Sequence, residues 1–341
     1  MDVLKEQIEN EYRNHETLID ALSRCEAKPP ANILALIKST RRKALGRELA
    51  GALVQDPDSR TARDLLSKLQ AVDDLAVECV PDASEGALDL LSPYCGEEGR
   101  ITLYPLALDS KLSEGARRGN HIVVFARPNT GKTAFTLNLT RGFLRDGMRV
   151  LYLMNEEPAA QVLKRLISRI TGLQGKEVDN DIPGAVARAE PLLKNLTLVD
   201  INPGTISEIR GLIKTVSPDV VVVDQMRNIT LNEDNRVLAL DKLAQAMRNL
   251  AKEHNVLMVT VTQAGDSARN KLVLDDGDID FSNTGVPAAA DLIVGIGVDD
   301  DHRARGRRVI SIAKNKLGSD HSSFPVQIDE SLAKFLSIGR S

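Results

Sequence analysis

An octapeptide in the middle of the chain, ARPNTGKT, constrains the fold more than any other segment. It follows the apolar run His121–Ala126 and precedes a stretch with helical periodicity that begins at Lys132. A strand, a glycine-containing turn and a helix in this order present successive N–H groups at a helix N-terminus, which is a favourable place for phosphate groups. The octapeptide differs from the pattern G-x-x-x-x-G-K-[ST] only at Ala126, where the pattern has glycine. The sequence therefore predicts a nucleoside-triphosphate site.

The residues of this phosphate loop have separate tasks. Gly131 lets the backbone approach the phosphates closely, Lys132 can reach the β- and γ-phosphates, and the Thr133 hydroxyl can ligate Mg²⁺. We therefore expect ATP and Mg²⁺ to be the bound groups. The predicted nucleotide contacts are Ala126, Arg127, Pro128, Asn129, Thr130, Gly131, Lys132, Thr133 and Ala134.

Acidic residues follow two other apolar runs and complete the predicted site. The run VVVVD ends at Asp224, whose carboxylate would lie beside the phosphate loop in a parallel sheet and hold Mg²⁺ through water. Gln225 follows, so no second acid stands next to Asp224 to orient the attacking water. The run VLYLMNE ends at Glu156, which we predict to be the catalytic carboxylate. Glu157 is expected to favour the start of the next helix through the helix dipole.

Strand and helix patterns alternate from residue 101 onward. Continuous apolar runs that alternate with helices indicate an α/β fold, with a mostly parallel sheet flanked by helices on both faces. The predicted strands are His121–Ala126, Arg149–Met154, Leu196–Asp200, Val220–Asp224, Val256–Thr262, Leu292–Val298, Arg308–Ala313 and Ser323–Ile328. The clearest predicted helices begin at Lys132 or cover Ala159–Ile170, Ile206–Val216 and Val237–His254.

The first 100 residues have a different pattern. Apolar residues at helical spacing, beginning with Leu4 and Ile8, predict a small all-helical domain over residues 1–78. Residues 79–100 are typical of a linker, with one short helix at Ser84–Leu91. The α/β domain is then expected to occupy residues 101–341.

Composition excludes several classes of protein. The chain has 44 Lys and Arg against 48 Asp and Glu, a net charge of −4, and 3% aromatic residues, so it lacks the usual footprint of a nucleic-acid binder. No apolar stretch approaches the roughly 20 residues of a membrane span, and the charged amino terminus is unlike a secretory signal. The three cysteines lack CxxC spacing, which argues against a zinc site or disulfide framework. A cytoplasmic location is therefore expected.

Five segments in order resemble those of one family. They are ALDSKLSEGARRGNHIVVFARPNTGKT, VLYLMNEEPAAQVLKRLIS, VVVVDQMRNI, LAKEHNVLMVTVTQAGDSARN and ISIAKNKLGSDHSSFPVQID. The chain resembles, over roughly residues 101–330, the RecA-like hexameric replicative DNA helicases of the DnaB type. The resemblance implies a RecA-like P-loop NTPase core and a ring-forming motor. Such a motor hydrolyses ATP, translocates on single-stranded DNA and unwinds duplex at a replication fork.

The resemblance also implies roles for residues beyond the phosphate loop. Gln263 corresponds to a glutamine that senses the γ-phosphate, and Lys314 and Lys316 lie in the segment that reaches into the neighbouring subunit's ATP site. The family commonly has an arginine as this trans-acting finger where this chain has Lys316, and a lysine offers a point charge rather than a planar fork. The upstream alternatives for the finger are Arg303, Arg305, Arg307 and Arg308.

Two loops are expected to line a central DNA channel, by the same resemblance. They follow the strands that end at Asp224 and Gln263, and the second also carries several acidic residues. Contact with DNA would therefore come from a few donors along one strand. The predicted DNA contacts are Arg227, Arg269, Lys271, Asn283, Thr284 and Gly285. A net charge of −4 leads us to expect weak DNA affinity in a single subunit and binding that depends on assembly and ATP.

The remaining expectations concern partners. The resemblance implies a homo-hexamer, with the linker helix packed on the next subunit. Residues 1–78 are too few for a zinc-ribbon primase, so we expect a collar or a docking surface for primase, loader or polymerase. The chain then resembles a phage- or plasmid-like version without a primase domain. No membrane contact is expected.

Two other functions fit the same motifs. A RecA- or RadA-like recombinase would share the phosphate loop, Glu156, Asp224 and Gln263, and would form filaments on DNA. An ATP-gated replication adaptor without motor activity would use the nucleotide only to switch partner binding. The lysine at position 316 keeps that second alternative open.

Overall fold

The computed structural model describes residues 43–54, 60–73, 99–231, 235–281 and 284–338. The chain divides into two compact units, Met1–Ser92 and Pro93–Ser341. In the first unit the described residues form two helices, 43–54 and Arg60–Asp73. The rest of the predicted helical domain, the linker helix at Ser84–Leu91 and the predicted DNA contact Asn283 lie outside the described residues.

A nine-stranded sheet organises the second unit, in the order β11-β10-β9-β8-β3-β7-β6-β4-β5. The six strands from β8 to β5 in this order run parallel, and β9, β10 and β11 add antiparallel strands at one side. This confirms the predicted α/β class. The strands are β3 (His121–Ala126), β4 (Val150–Met154), β5 (Leu196–Asp200), β6 (Val220–Asp224), β7 (Leu257–Gln263), β8 (Leu292–Gly297), β9 (Arg307–Asn315), β10 (Ser323–Asp329) and β11 (Lys334–Ser337). A separate two-stranded sheet pairs β1 (Arg100–Ile101) with β2 (Ala116–Arg117).

Helices cover both faces of the large sheet because its strands present apolar side chains to both sides. In β3, Val124 belongs to one apolar cluster and Val123 to the other. The helices Lys132–Arg145 and Ala159–Thr171 pack on the first face, and Ile206–Val216 and Arg236–Glu253 on the second. The other α-helices of this unit are Leu106–Asp109, Gly175–Asn180, Ile182–Leu193, Gly285–Ala289 and Asp300–Ala304. None of the helices within the described ranges is long and apolar enough to cross a bilayer.

Several regular elements were given no bounds by the sequence, among them the helix Ile182–Leu193 and the strand β11. The helix Ile182–Leu193 contains Pro191, which argues against a helix in the sequence, but Asp181 caps its N-terminus by accepting from the Gly184 amide. The strand β11 is four residues long and alternates Lys334, Phe335, Leu336, Ser337, so its pattern is too short to be distinctive. Its pairing with β10 and the burial of Phe335 against Phe135, with ring centroids 5.2 Å apart, fix it to the core.

The sheet register brings four strand ends to one edge. Ala126 of β3 lies opposite Gln263 of β7, and Met154 of β4 lies opposite Asp224 of β6. Parallel strands align their carboxyl ends, so the residues that follow them meet there. We call this edge the nucleotide edge, and the edge where the parallel strands begin the opposite edge.

A pair of helical glycines tests the packing behind the phosphate loop. A methyl group on Gly142 would overlap the Tyr104 ring, which Arg145 covers at 4.6 Å and Asp146 holds through a 2.9 Å hydrogen bond. We expect Gly142→Ala to lower the free energy of unfolding by about 1–3 kcal/mol. Gly211, also in a helix, has nothing within 4 Å, so Gly211→Ala should instead gain about 0.5–1 kcal/mol. Urea unfolding followed by circular dichroism measures both; equal shifts would contradict the packing described.

Candidate nucleotide-binding site

The phosphate loop turns sharply between β3 and the helix that begins at Lys132. Asn129 and Gly131 have left-handed backbone conformations, with φ of 56° and 109°. Glycine is required at 131 because any other residue would have an unfavourable φ there, and its Cβ would lie 3.0 Å from Ile328 Cδ1. The methyl group of Ala126, at the loop's first position, is fully buried in the core, which explains why glycine is unnecessary there.

A cavity of about 540 Å³ lies beside this loop. It is large enough for a nucleotide and brings together residues from four segments that are distant in sequence. Its walls are Pro128, Asn129, Gly131, Lys132, Thr133, Ala134, Glu156, Glu157, Arg165, Gln263, Ile328 and Glu330. Three predicted nucleotide contacts are not among them: Ala126 and Thr130 are buried, and Arg127 forms a 2.8 Å ion pair with Asp266.

Lys132 extends along the wall of the cavity and is only 8% exposed. Its Nζ lies 3.4 Å from the Arg127 carbonyl oxygen. Burial lowers the pKa of Lys132, whereas the nearby carboxylates of Glu156 and Asp224 act to raise it. A buried ammonium group held close to two acids is suited to binding an anionic phosphate.

Asp224 is buried at the end of β6 and accepts a 2.9 Å hydrogen bond from the Tyr152 hydroxyl. Burial raises the pKa of Asp224 to about 6, although the hydrogen bonds from Tyr152 and from the Thr133 hydroxyl lower it. Its other oxygen, Oδ1, is buried and has no hydrogen-bond partner among the described residues. An unpartnered carboxylate oxygen beside a threonine hydroxyl fits the oxygen ligands that Mg²⁺ prefers.

Glu156 is held in place by a residue that sequence reasoning treated only as the absence of an acid. The Gln225 side chain donates a 2.6 Å hydrogen bond to the Glu156 carboxylate. The Asn155 side chain fixes the backbone of Gln225 in turn. It donates to the Gln225 backbone carbonyl oxygen at 3.0 Å and accepts from the Gln225 backbone N–H at 2.8 Å. Glu157 turns to Arg165, with a 2.7 Å ion pair. The pairing of Glu156 with Gln225 joins the ends of β4 and β6.

The predicted finger lysines lie at the opposite edge. Because β9 is antiparallel to β8, Asn315 pairs with Leu292 at the start of β8, and Leu292 pairs with Ile122 near the start of β3. About 13 Å of strand separates that level from the end of β3. Lys316 is exposed there, and the Lys314 ammonium group donates to the Pro287 carbonyl oxygen. Neither lysine is close to the phosphate loop of its own chain.

The upstream arginines occupy the nucleotide edge instead. Arg308 is 1% exposed and donates to the Thr130 carbonyl oxygen at 2.9 Å, and Arg303 donates to the Asn129 carbonyl oxygen at 3.0 Å. Arg305 pairs with Asp301 at 3.0 Å on the surface, and Arg307 is exposed. Arg303 and Arg308 therefore contact the phosphate loop of their own chain.

The predicted DNA contacts fall into two groups. Arg227 and Arg269 are exposed, and Arg227 lies 3.9 Å from the Asp280 carboxylate. Lys271 is paired more closely, with Asp275 at 2.8 Å and with Asp278 at 2.6 Å. Thr284 and Gly285 begin the short helix Gly285–Ala289, and a methyl group on Gly285 would overlap Asp241. A cavity of about 500 Å³ beside Arg227 is also lined by Arg236 and Phe281, which the sequence did not single out.

Comparison with known proteins fits this geometry. The family model of the DnaB-like helicase C terminal domain matches residues 105–336. The chain belongs to the family of DnaB-like helicases. The family resemblance stated from the five motifs is therefore confirmed.

Individual relatives of this DnaB-like chain are distant. A probable replicative DNA helicase of Trieres chinensis is 26% identical over 49% of the chain and 40% of its own length. The replicative DNA helicase DnaB of Buchnera aphidicola is 26% identical over 71% of the chain and 57% of its own length. The chain thus spans about half the length of these relatives. A solved DnaB-like replicative helicase, described with its interactions with primase, has a TM-score of 0.70 at 17% identity over 89% of the chain and 77% of its own, which supports the fold.

A buried histidine at the opposite edge gives this DnaB-like domain an acid-sensitive site. His121 bonds Thr260 at 2.9 Å and the Ala289 carbonyl oxygen at 3.1 Å, and its amide donates to Asp291. Burial lowers the pKa of His121 to about 4; Asp291 acts to raise it and Arg248 to lower it further.

Acid should therefore destabilise the fold through His121. Its pKa is lower in the folded protein than the ordinary 6.5, so the stability it contributes is present above pH 6.5 and is lost as the pH falls toward 4. Between pH 7.5 and pH 5, this group should lower the free energy of unfolding of the wild type by roughly 2 kcal/mol. Urea unfolding at pH 7.5 and 5 measures the loss, which His121→Gln should remove and His321→Gln, an exposed control, should retain. Identical pH slopes in the two variants would contradict this.

Proposed function

We propose that this chain is the ATP-hydrolysing motor subunit of a replicative DNA helicase that forms a homo-hexameric ring. One observation carries the proposal: a nucleotide cavity lined by Lys132 and Glu156 lies at one edge of the sheet, where Asp224 ends β6. Lys314 and Lys316 lie at the other edge. A subunit of this kind has a complete phosphate-binding face and a separate basic face. A head-to-tail ring brings the basic face of one subunit to the phosphate-binding face of the next.

Several side chains have separate roles in hydrolysis in this proposal. Lys132 binds the β- and γ-phosphates. Thr133 and Asp224 would hold Mg²⁺, which would neutralise charge that develops on the phosphates. Glu156, oriented by Gln225, positions and deprotonates the attacking water. Gln263 reports the presence of the γ-phosphate to the segment that follows β7, since its backbone carbonyl oxygen accepts a 3.0 Å hydrogen bond from the Asp280 backbone amide.

Single-stranded DNA is the proposed track. The loops that follow β6 and β7 carry Arg227 and Arg269, both exposed, and both loops begin at the nucleotide edge. We assign the backbone contacts to Arg227, Arg269, Lys271, Asn283, Thr284 and Gly285. The ion pairs of Lys271 with Asp275 and Asp278 would have to open for it to bind a phosphate.

The amino-terminal part completes the proposal. We assign residues 1–78 to a collar that docks primase, loader or polymerase, 79–100 to a linker and 101–341 to the ATPase domain. A structural neighbour described with its interactions with primase supports a partner of this kind. The protein would act in the cytoplasm, as a phage- or plasmid-like helicase.

Removal of the phosphate-binding lysine or the water-positioning acid tests the motor function. Lys132→Ala and Glu156→Gln should each reduce DNA-stimulated ATPase by at least about 100-fold and abolish unwinding of a forked duplex. Lys194→Ala and Glu190→Gln, both exposed and outside the cavity, are the matched controls and should keep wild-type rates. Unwinding by either site variant would refute the proposal. A wild-type ATPase rate unaffected by single-stranded DNA would favour the adaptor function.

Mixed rings test whether Lys316 acts on the neighbouring subunit. Lys132→Ala and Lys316→Ala should each be inactive alone, because one lacks the phosphate lysine and the other lacks the finger. Mixed in equal amounts, they should recover about a quarter of the ATPase rate, since about one interface in four joins an intact cavity to an intact lysine. The double variant mixed with either single variant should recover nothing. Wild-type activity of Lys316→Ala alone would exclude this role.

A further inference from the structure

Arg308 is the largest fully buried side chain among the described residues, which requires an explanation. A buried guanidinium group loses its hydration and is tolerated only when its donors are satisfied. Arg308 donates to the Thr130 carbonyl oxygen at 2.9 Å, to the Arg307 carbonyl oxygen at 2.8 Å and to Glu330 at 2.7 Å. An apolar side chain of similar volume would fill the same space at lower cost. The guanidinium therefore contributes hydrogen bonds rather than packing.

Those hydrogen bonds end on the phosphate loop. Arg308 holds the Thr130 carbonyl, and Arg303, from the short helix Asp300–Ala304, holds the preceding carbonyl of Asn129 at 3.0 Å. Other carbonyls of the loop are also occupied, that of Ala126 by the Ala264 amide at 3.0 Å and that of Gly131 by the Phe135 amide at 2.9 Å. Two consecutive carbonyl oxygens of the loop are thus bound by arginine side chains of the same chain.

Because the peptide bond is planar, the direction of each bound carbonyl also fixes the direction of the N–H group in the same peptide unit. In a trans peptide the N–H points away from the C=O of the same unit. With the carbonyls of Asn129 and Thr130 bound to arginines, the N–H groups of Thr130 and Gly131 point to the opposite side of the loop. Along the described chain, neither amide donates a backbone hydrogen bond. Both N–H groups are therefore available to phosphate oxygens.

We infer that Arg308 and Arg303 are positioning residues that hold the phosphate loop in its binding conformation from behind. They touch no substrate, and they act through the Thr130 and Gly131 amides. A loop that is already ordered pays less conformational entropy when phosphate binds, so affinity rises. The inference rests on the proposed nucleotide site, and it gives these two arginines a role in their own subunit in place of the trans-acting role considered from the sequence.

Glu330 extends the arrangement to the turn after β10. Its carboxylate pairs with Arg308 although its side chain is 71% exposed, and Glu330 also lines the nucleotide cavity. The pair leaves the third donor group of Arg308 satisfied without burying a second charge. Glu330 thereby helps to hold the Arg308 guanidinium group in the position from which it binds the phosphate loop.

The test compares four variants of the full chain with wild type. Binding of ADP and of ATP, each with Mg²⁺ and without DNA, is measured by titration calorimetry, and the melting temperature is recorded for each variant. Arg308→Met should weaken ADP binding about 10- to 100-fold and Arg303→Met about 3- to 10-fold, because an oriented amide donor to a charged phosphate is lost. Arg308→Lys should fall between wild type and Arg308→Met, since a lysine can keep one carbonyl contact. Arg305→Met is the matched control, since Arg305 lies between the two arginines and pairs only with Asp301 in its described ion pairs.

Steady-state kinetics separate positioning from general damage to the fold. Loss of positioning should raise the KM for ATP while kcat at saturation stays within about threefold of wild type, because the chemical groups are intact. Arg303 is exposed, so Arg303→Met carries the test if Arg308→Met does not fold.

Two results would overturn the inference. If Arg303→Met and every folded Arg308 variant bind ADP within twofold of Arg305→Met, the arginines do not position the loop, and the proposed function stands without them. If wild type and Arg305→Met bind neither ADP nor ATP, the nucleotide site itself fails, and the inference falls with it.

Discussion

The parallel register of four neighbouring strands is the constraint on which the rest of the structure depends. Hydrogen bonds between β3, β7, β6 and β4 fix Ala126 opposite Gln263 and Met154 opposite Asp224. Every residue of the candidate site on these strands is placed by that register, because each one stands at or just after a strand end. A shift by a single residue would turn each strand's side chains to the other face and separate the carboxylates from the phosphate loop. The valines of β6 are buried and pack on both faces of the sheet, whereas the register itself is fixed by the hydrogen bonds to β4 and β7.

Much of this arrangement could be predicted from the sequence, and the reason is local. Val220–Asp224 is a continuous apolar run that ends in an acid, and the phosphate loop is a contiguous motif between a strand and a helix, so short windows contain the whole signal. The partners of these residues could not be predicted in the same way. Gln225 and Glu156 are separated by 69 positions, and Arg308 and Thr130 by 178. No spacing rule connects residues so far apart, and only the strand order brings them together.

The lysines of the segment that begins at Ile310, and the arginines just before it, also show that sequence proximity does not give position in the fold. In the sequence, Arg308 and Lys316 are close neighbours and looked like alternatives for one task. In the structure they lie toward opposite ends of β9, and because β9 is antiparallel to the strands beside it, one reaches the nucleotide edge and the other the opposite edge. Lys271 was similarly predicted from its charge and its place in the loop after β7, and the two aspartates that it pairs with alter what that charge can do.

The strand β9 connects the phosphate loop of its own subunit with the lysines proposed to act at the neighbouring subunit's ATP site. It is hydrogen-bonded to β8 on one side and β10 on the other, so side-chain rearrangement cannot change its length. The seven residues from Arg308 to Lys314 span about 20 Å, and that span behaves as a rigid rod inside the sheet. A force applied at its lysine end would be carried to its arginine end by movement of the whole domain rather than by a local hinge. Timing between adjacent sites in an assembly of this chain would then be a matter of rigid-body rotation.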